Sequence, residues 1–392
     1  MAVTEKIKHR LRLRQKPLPR AAYIALCAFP AVLTILFYVL RNNIRVMDWI
    51  SLRVAAPIRT FLGLITAVFP FSVMEVMIAA IVVGVIWFIA KTIKLTIRKR
   101  RARLKTLSKR VLHLAVFALY FWGLFCWLWN VGYFAQGFAE RNGIVPREAA
   151  VEELISVAEM FTARANALSQ VVDRNENGRL QADRREVFAQ SLDVFHGISD
   201  EFPELGGRIF RPKPMIFSWL MSRTGYGGIY FALTGEANVN TQLPMSTMPS
   251  TIAHEHAHQL GVFSEDEANF VAIIASTRSG ILIYEYSGYF LGLIYLMRAL
   301  NDIHPDLWLE MWDTFSPELQ RDWLDNREFW QSQRTVNTGI RLVDTVLTAV
   351  TETVRDAVDT VYDSFLRAND QALGLQSYGA VVDLLIAYFL PA

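Results

Sequence analysis

Long apolar runs dominate the first third of the chain, and amphipathic patterns dominate the rest. Ala21 to Leu40 carries no charge, Phe71 to Ala90 carries only Glu75 near one end, and Val111 to Asn130 is rich in Phe, Leu and Trp. Crossing a bilayer core takes about 20 apolar residues of helix. A soluble helix of that length would show a polar stripe. The pattern therefore predicts three transmembrane helices. The first run exceeds a secretory h-region and no small-x-small site follows it, so it reads as an uncleaved anchor.

From Arg147 onward the periodicity changes. Residues 146–172 predict an amphipathic helix with Val151, Leu154, Ile155, Val157, Ala158, Phe161 and Ala165 on its apolar stripe. A turn is expected at Asp173 to Gly178, and a second helix over 183–196. Residues 207–245 mix Gly225, Gly227, Gly228 and Gly235 with aromatic and β-branched neighbours, the mark of short strands. A helix over 248–261 follows. Another begins after Ser264, an N-cap type residue ahead of Glu265, Asp266 and Glu267. Residues 280–300 are apolar but hold Glu285 and Arg298. A mid-span charge is costly, so they read as a buried core helix rather than a fourth span. A long amphipathic helix is expected over 337–367, through Val343, Leu347, Val350, Val354, Val358, Val361 and Phe365. Val381 to Leu390 is too short to span and reads as a docked terminal helix.

Composition adds the orientation. The 392 residues are 53% hydrophobic, and the net charge of +3 says less than its distribution. Lys6, Lys8, Arg10, Arg12, Arg14, Lys16 and Arg20 precede the first run. Residues 91–110 carry a dense basic run including Arg98, Lys99, Arg100 and Arg101, with no acid. Basic segments stay on the cytoplasmic side. Residues 1–20 are then a basic cytoplasmic tail, 21–130 the three-helix membrane region, and 131–392 an extracytoplasmic domain. Trp127, Trp129 and Tyr133 suit an aromatic belt at the exit. The bilayer is the expected partner of the basic run, through anionic lipid, and no nucleic acid is expected. Cys27 and Cys126 lie in apolar runs and read as small buried hydrophobes.

The chemistry concentrates at His254-Glu255-His256-Ala257-His258. His254 and His258 stand four apart, so a helix puts both imidazoles on one face as two corners of a tetrahedral Zn2+ site. Glu255 is turned about 100° away. It suits the base that takes a proton from a water at the open coordination position. His256 points off the metal face, toward a supporting or exposed place. A third protein ligand is needed. Glu265 and Asn269 share a face of the next helix, where Asn269 can fix the ring of the first histidine. Glu265 is the first candidate ligand and Glu267 its rival, the alternative for Glu267 being a charge that favours the helix N-terminus. Tyr284, Tyr286, Tyr289 and His304 are candidate oxyanion donors, and sequence does not choose among them. Asp173, Asn175, Asn177 and Gly178 imitate a calcium loop, but its twelfth position is Arg184, so a surface turn is preferred.

His254 to Gly261 followed by Glu265 to Phe270 resembles the DUF3810 family of bacterial membrane proteins, which is in turn similar to gluzincin metallopeptidases. Phe231 to Asn240 and Ser377 to Leu385 carry the same resemblance, as does the three-span arrangement. The spacer between His258 and Glu265 is shorter than in thermolysin-like enzymes. The resemblance implies a zincin-like domain, mainly helical α+β, after the multi-pass helical membrane region. It also implies that Gly235, Glu236, Ala237 and Asn238 form a strand pairing with an extended substrate. The expected function is a membrane-anchored zinc metallopeptidase acting on extracytoplasmic peptides or proteins near the membrane. The alternative is a sensor or regulatory membrane protein that keeps the zinc fold without general protease activity.

Overall fold

The computed structural model describes residues 19–98, 102–147, 150–335, 341–368 and 378–391. Most of the basic tail, Lys99 to Arg101, residues 337–340 and Ser377 of the terminal motif lie outside them.

The described chain is mostly helical with a small sheet, and three helices are long and apolar enough to cross a membrane. They are α1 (Arg20–Leu40), α4 (Val73–Arg98) and α5 (Arg103–Leu128). Between α1 and α4 the chain is also helical, which the apolar pattern alone did not predict. α2 (Ile44–Ile50) runs through a π-turn (Ser51–Ala55) into α3 (Ala56–Thr66). Asn43 caps α2 by accepting from the Val46 N–H. This segment exposes Ile44, Trp49 and Phe61 on one side and buries Arg59, Gly63 and Thr66 on the other. The Arg59 guanidinium donates to the Leu128 carbonyl at 3.0 Å and lies over the Phe263 ring.

After α5 come a 3-10 turn (Asn130–Phe134), the short α6 (Phe138–Arg141), α7 (Val151–Ser169) and α8 (Arg184–Gln190). The Asp173–Gly178 stretch is a turn closed by the Arg174–Leu180 bridge, and Arg174 forks onto Asp322 at 3.0 and 2.7 Å. β1 (Lys213–Pro214), α9 (Ser218–Thr224), β2 (Gly228–Phe231) and β3 (Glu236–Val239) follow. The sheet order is β1-β3-β2, with β1 parallel and β2 antiparallel to β3.

That order corrects one expectation. Gly235 to Asn238 do not offer an open edge, because β3 is paired on both sides and all four of its residues are buried. Glu236 accepts from the Val73 and Met74 N–H groups at 3.0 and 2.8 Å, so its carboxylate caps the start of α4. A carboxylate at a helix N-terminus stabilises it by about 0.3–1 kcal/mol, more when partly buried. Glu75 answers from α4 by accepting from the Ile216 and Phe217 N–H groups. Gly235 sits at φ +69, and a Cβ there would lie 2.8 Å from Gly63 Cα. The sheet is thus held against the helices that precede it, and β1 and β2 are its two outer strands.

The remaining core is helical: α10 (Met248–Leu260), α11 (Glu265–Thr277), α12 (Leu282–Ile303), α13 (Pro305–Asp313), α14 (Pro317–Ser332), α15 (Arg341–Ala368) and α16 (Tyr378–Phe389). α12 is a core helix, with Tyr284, Tyr286, Phe290, Leu293, Leu296 and Leu300 fully buried. α16 docks on α11 and α12 through Val381, Leu384, Leu385 and Ile386. Truncating core side chains of this kind typically costs about 2–5 kcal/mol.

Candidate metal centre

α10 places the histidines. Pro249 sits in its first turn, where a missing N–H costs nothing. At its other end Gly261 takes φ +98, which glycine adopts without strain. The chain then folds back, the Val262 N–H bonds the Ala257 carbonyl, and the Val262 carbonyl arrives 2.7 Å from His258 Nδ1. The helix cap therefore orients the second histidine. The first is oriented from α11, where Asn269 Oδ1 lies 2.9 Å from His254 Nδ1. A ring nitrogen facing an oxygen acceptor carries a proton, so in the neutral imidazole the lone pair is on Nε2.

Both Nε2 atoms face Glu265. His254 Nε2 is 3.2 Å from Oε2, and His258 Nε2 is 3.5 Å from Oε1. One donor atom from each of the three residues falls within 4.8 Å of the others. With metal–nitrogen bonds of about 2.0–2.1 Å, tetrahedral corners stand roughly 3.3 Å apart. The two nitrogen–oxygen separations, one to each carboxylate oxygen, lie close to that value. Two neutral imidazoles and one carboxylate are a donor set that suits zinc. Burial alone would lower the His258 imidazole, but Glu265 beside it, helped by Glu255 and the Val262 carbonyl, pushes it up to about 9. Burial would raise the Glu265 carboxyl, yet the two histidines hold it well below the usual carboxylate range. A cation binding here takes His258 as a neutral ligand and releases that proton.

Glu267 stands elsewhere. Its carboxylate accepts from the Phe138 and Ala139 N–H groups, both at 2.9 Å, and caps the start of α6. Burial pushes the Glu255 carboxyl up to about 7, the two histidines opposing and Glu265 adding to the rise. Its Oε2 is buried without a partner, and its stem lies against Gly228 of β2, where a Cβ would be 2.7 Å from Glu255 Cγ. His256 is neither exposed nor near the metal face. It is fully buried, with Nε2 3.1 Å from Ser191 Oγ, and burial lowers its imidazole to about 4.

The downstream tyrosines leave the site. Tyr284 donates to the Val187 carbonyl, Tyr286 to Asp322, and Tyr289 packs on Phe161. His304 caps the exposed end of α12. The structure brings other aromatic residues instead. The Tyr362 hydroxyl donates to Glu265 Oε1, and Tyr226 donates to Asp359 at 3.3 Å. Burial raises both hydroxyls far enough to keep them protonated donors. Trp129 turns inward, away from any belt, and meets the His258 ring edge-on at 5.4 Å. Tyr362 had one legible signal, its place beside Val361 and Phe365 on the amphipathic stripe. Trp129 and Tyr226 had none.

No curated protein and no solved structure matches the chain. The model of one family, described as a protein of unknown function (DUF3810), matches residues 51–386. That stretch runs from before α3 into α16 and includes every residue of the candidate centre, so the chain belongs to the DUF3810 family.

Proposed function

We propose that the protein is a membrane-anchored zinc peptide hydrolase of gluzincin type, acting on polypeptides in the compartment opposite its N-terminus. The observation that carries this reading is the convergence of His254 Nε2, His258 Nε2 and a Glu265 oxygen beside a buried, unpartnered Glu255 oxygen. Zinc held by His254, His258 and Glu265 would supply a Lewis acid that polarises the scissile carbonyl and acidifies water.

The chain's own groups divide the remaining work. Glu255 takes the proton from the attacking water and delivers it to the leaving amine, a task matched by a carboxyl near neutral pKa. Asn269 and the Val262 carbonyl hold the two rings. Tyr226 and Tyr362 are the hydroxyls that could donate to charge developing on the carbonyl oxygen. β2 rather than β3 would line an extended substrate, since β2 is an outer strand of the sheet and, unlike the other outer strand β1, lines the cavity with Gly227 to Ala232.

Two experiments bear on this reading. The full chain reconstituted with zinc should hydrolyse an unstructured polypeptide, lose that activity to a chelator and regain it on added zinc. Failure in all three arms with stoichiometric zinc bound would remove the hydrolase reading. Gly228→Ala should keep the metal but lower hydrolysis more than about tenfold, because its methyl displaces the Glu255 carboxylate. Wild-type rates in that variant would place the base elsewhere.

A further inference from the structure

The cavity over the metal triad continues well past it. Its volume is about 1350 Å³, beyond the roughly 300–1,000 Å³ of small-molecule sites. Its lining includes His254, His258, Glu255 and Glu265 together with Phe37 and Tyr38 of α1 and Trp122 and Phe125 of α5, both span-length helices. α15 adds its apolar face, through Val354, Val358 and Val361. Val354 and Val361 remain 41% and 70% exposed, so that face has room for an occupant. Among the lining residues Arg41 is the only lysine or arginine, and its guanidinium is spread over the Tyr38 and Phe134 rings.

Apolar side chains are exposed on the same helices, Val39 on α1 and Leu124 on α5, and Trp49 (61%) and Phe61 (60%) are exposed on α2 and α3. Exposed apolar surface on and between helices long enough to cross a bilayer suits a lipid surrounding. Gly225, Gly227 and all of β2, an outer strand of the sheet, also line it. An aliphatic lipid chain makes no use of backbone donors and acceptors, whereas an extended polypeptide does.

We infer that this cavity receives an apolar polypeptide segment still inserted in the bilayer, so that the substrate class is a membrane-anchored polypeptide cut beside its anchor. The inference rests on the hydrolase reading and gives it a substrate. The apolar segment lies between the ends of α1 and α5 and under α15. The bond to be cut reaches the triad where the cavity meets β2.

The test uses the full chain in phosphatidylcholine vesicles and two substrates with the same reporter sequence and the same single membrane-spanning helix. In one the reporter adjoins the helix; in the other a flexible Gly/Ser linker of about thirty residues separates them. The adjoining reporter should be cut at least tenfold faster. In parallel, Glu255→Gln protein carrying a photoreactive benzoylphenylalanine in place of Val358 is irradiated with the adjoining substrate. The expected adducts map to the residues between reporter and helix. Equal rates without peptide adducts, or adducts to phospholipid alone, overturn the inference and leave the hydrolase reading intact. Peptide adducts without any hydrolysis by the wild type keep the cavity assignment and remove the hydrolase reading. Neither cleavage nor adducts overturns both.

Discussion

Replacing Glu255 by Gln is expected to leave the zinc content unchanged and to lower peptide hydrolysis by about 10³-fold. The amide matches the carboxylate in shape, so the stem packed on Gly228 should stay in place. What disappears is the ability to accept a proton. Glu255 is not one of the three converging donors, so the metal has no reason to leave. Metal analysis and a single-turnover assay on the same preparation check both halves. Full activity in this variant would mean that another group takes the proton.

The second large effect separates two acids on α11. Glu265→Ala removes the carboxylate that stands between both imidazoles. Losing a supporting residue around a metal typically costs 10–100-fold in affinity, so losing a ligand should cost more than about 100-fold. Glu267→Ala should keep the metal and lose stability instead. It strips the partners from the Phe138 and Ala139 N–H groups at the start of α6, a cost of about 2–3 kcal/mol. Competition titration with a chromogenic chelator and thermal unfolding read the two outcomes. If the Glu267 variant lost the metal and the Glu265 variant kept it, the ligand assignment would be reversed.

What could be read from the sequence follows the range of the interactions. His254 and His258 are set by helical geometry over a single turn, and Glu265 and Asn269 by the same geometry one helix later. All four meet in the structure at the spacing their numbering implies. The three long apolar helices were legible because composition over 20 residues decides them. Residues paired across the fold were not. Glu236 read as part of a substrate strand because nothing near it in sequence reveals that its partners are the Val73 and Met74 N–H groups. Tyr362 lies 97 residues beyond the Glu265 it bonds, and its local pattern says only that α15 has an apolar face. α2 and α3 escaped notice because their apolar exposure resembles a loop between spans until Arg59 and Thr66 are seen anchored to Leu128 and Thr234. For His256 the sequence left a supporting and an exposed place open, and the structure gives it a buried one against Ser191 and Phe195.

The central claim is that two imidazoles of α10 and one carboxylate of α11 grip a single divalent ion. It is tested most directly by metal analysis of the detergent-purified full chain after equilibration with zinc and gel filtration, beside a His258→Ala control of equal helicity. The account predicts one zinc per chain in the wild type and none in the control. Zinc absent from the wild type, or present equally in both, would contradict it.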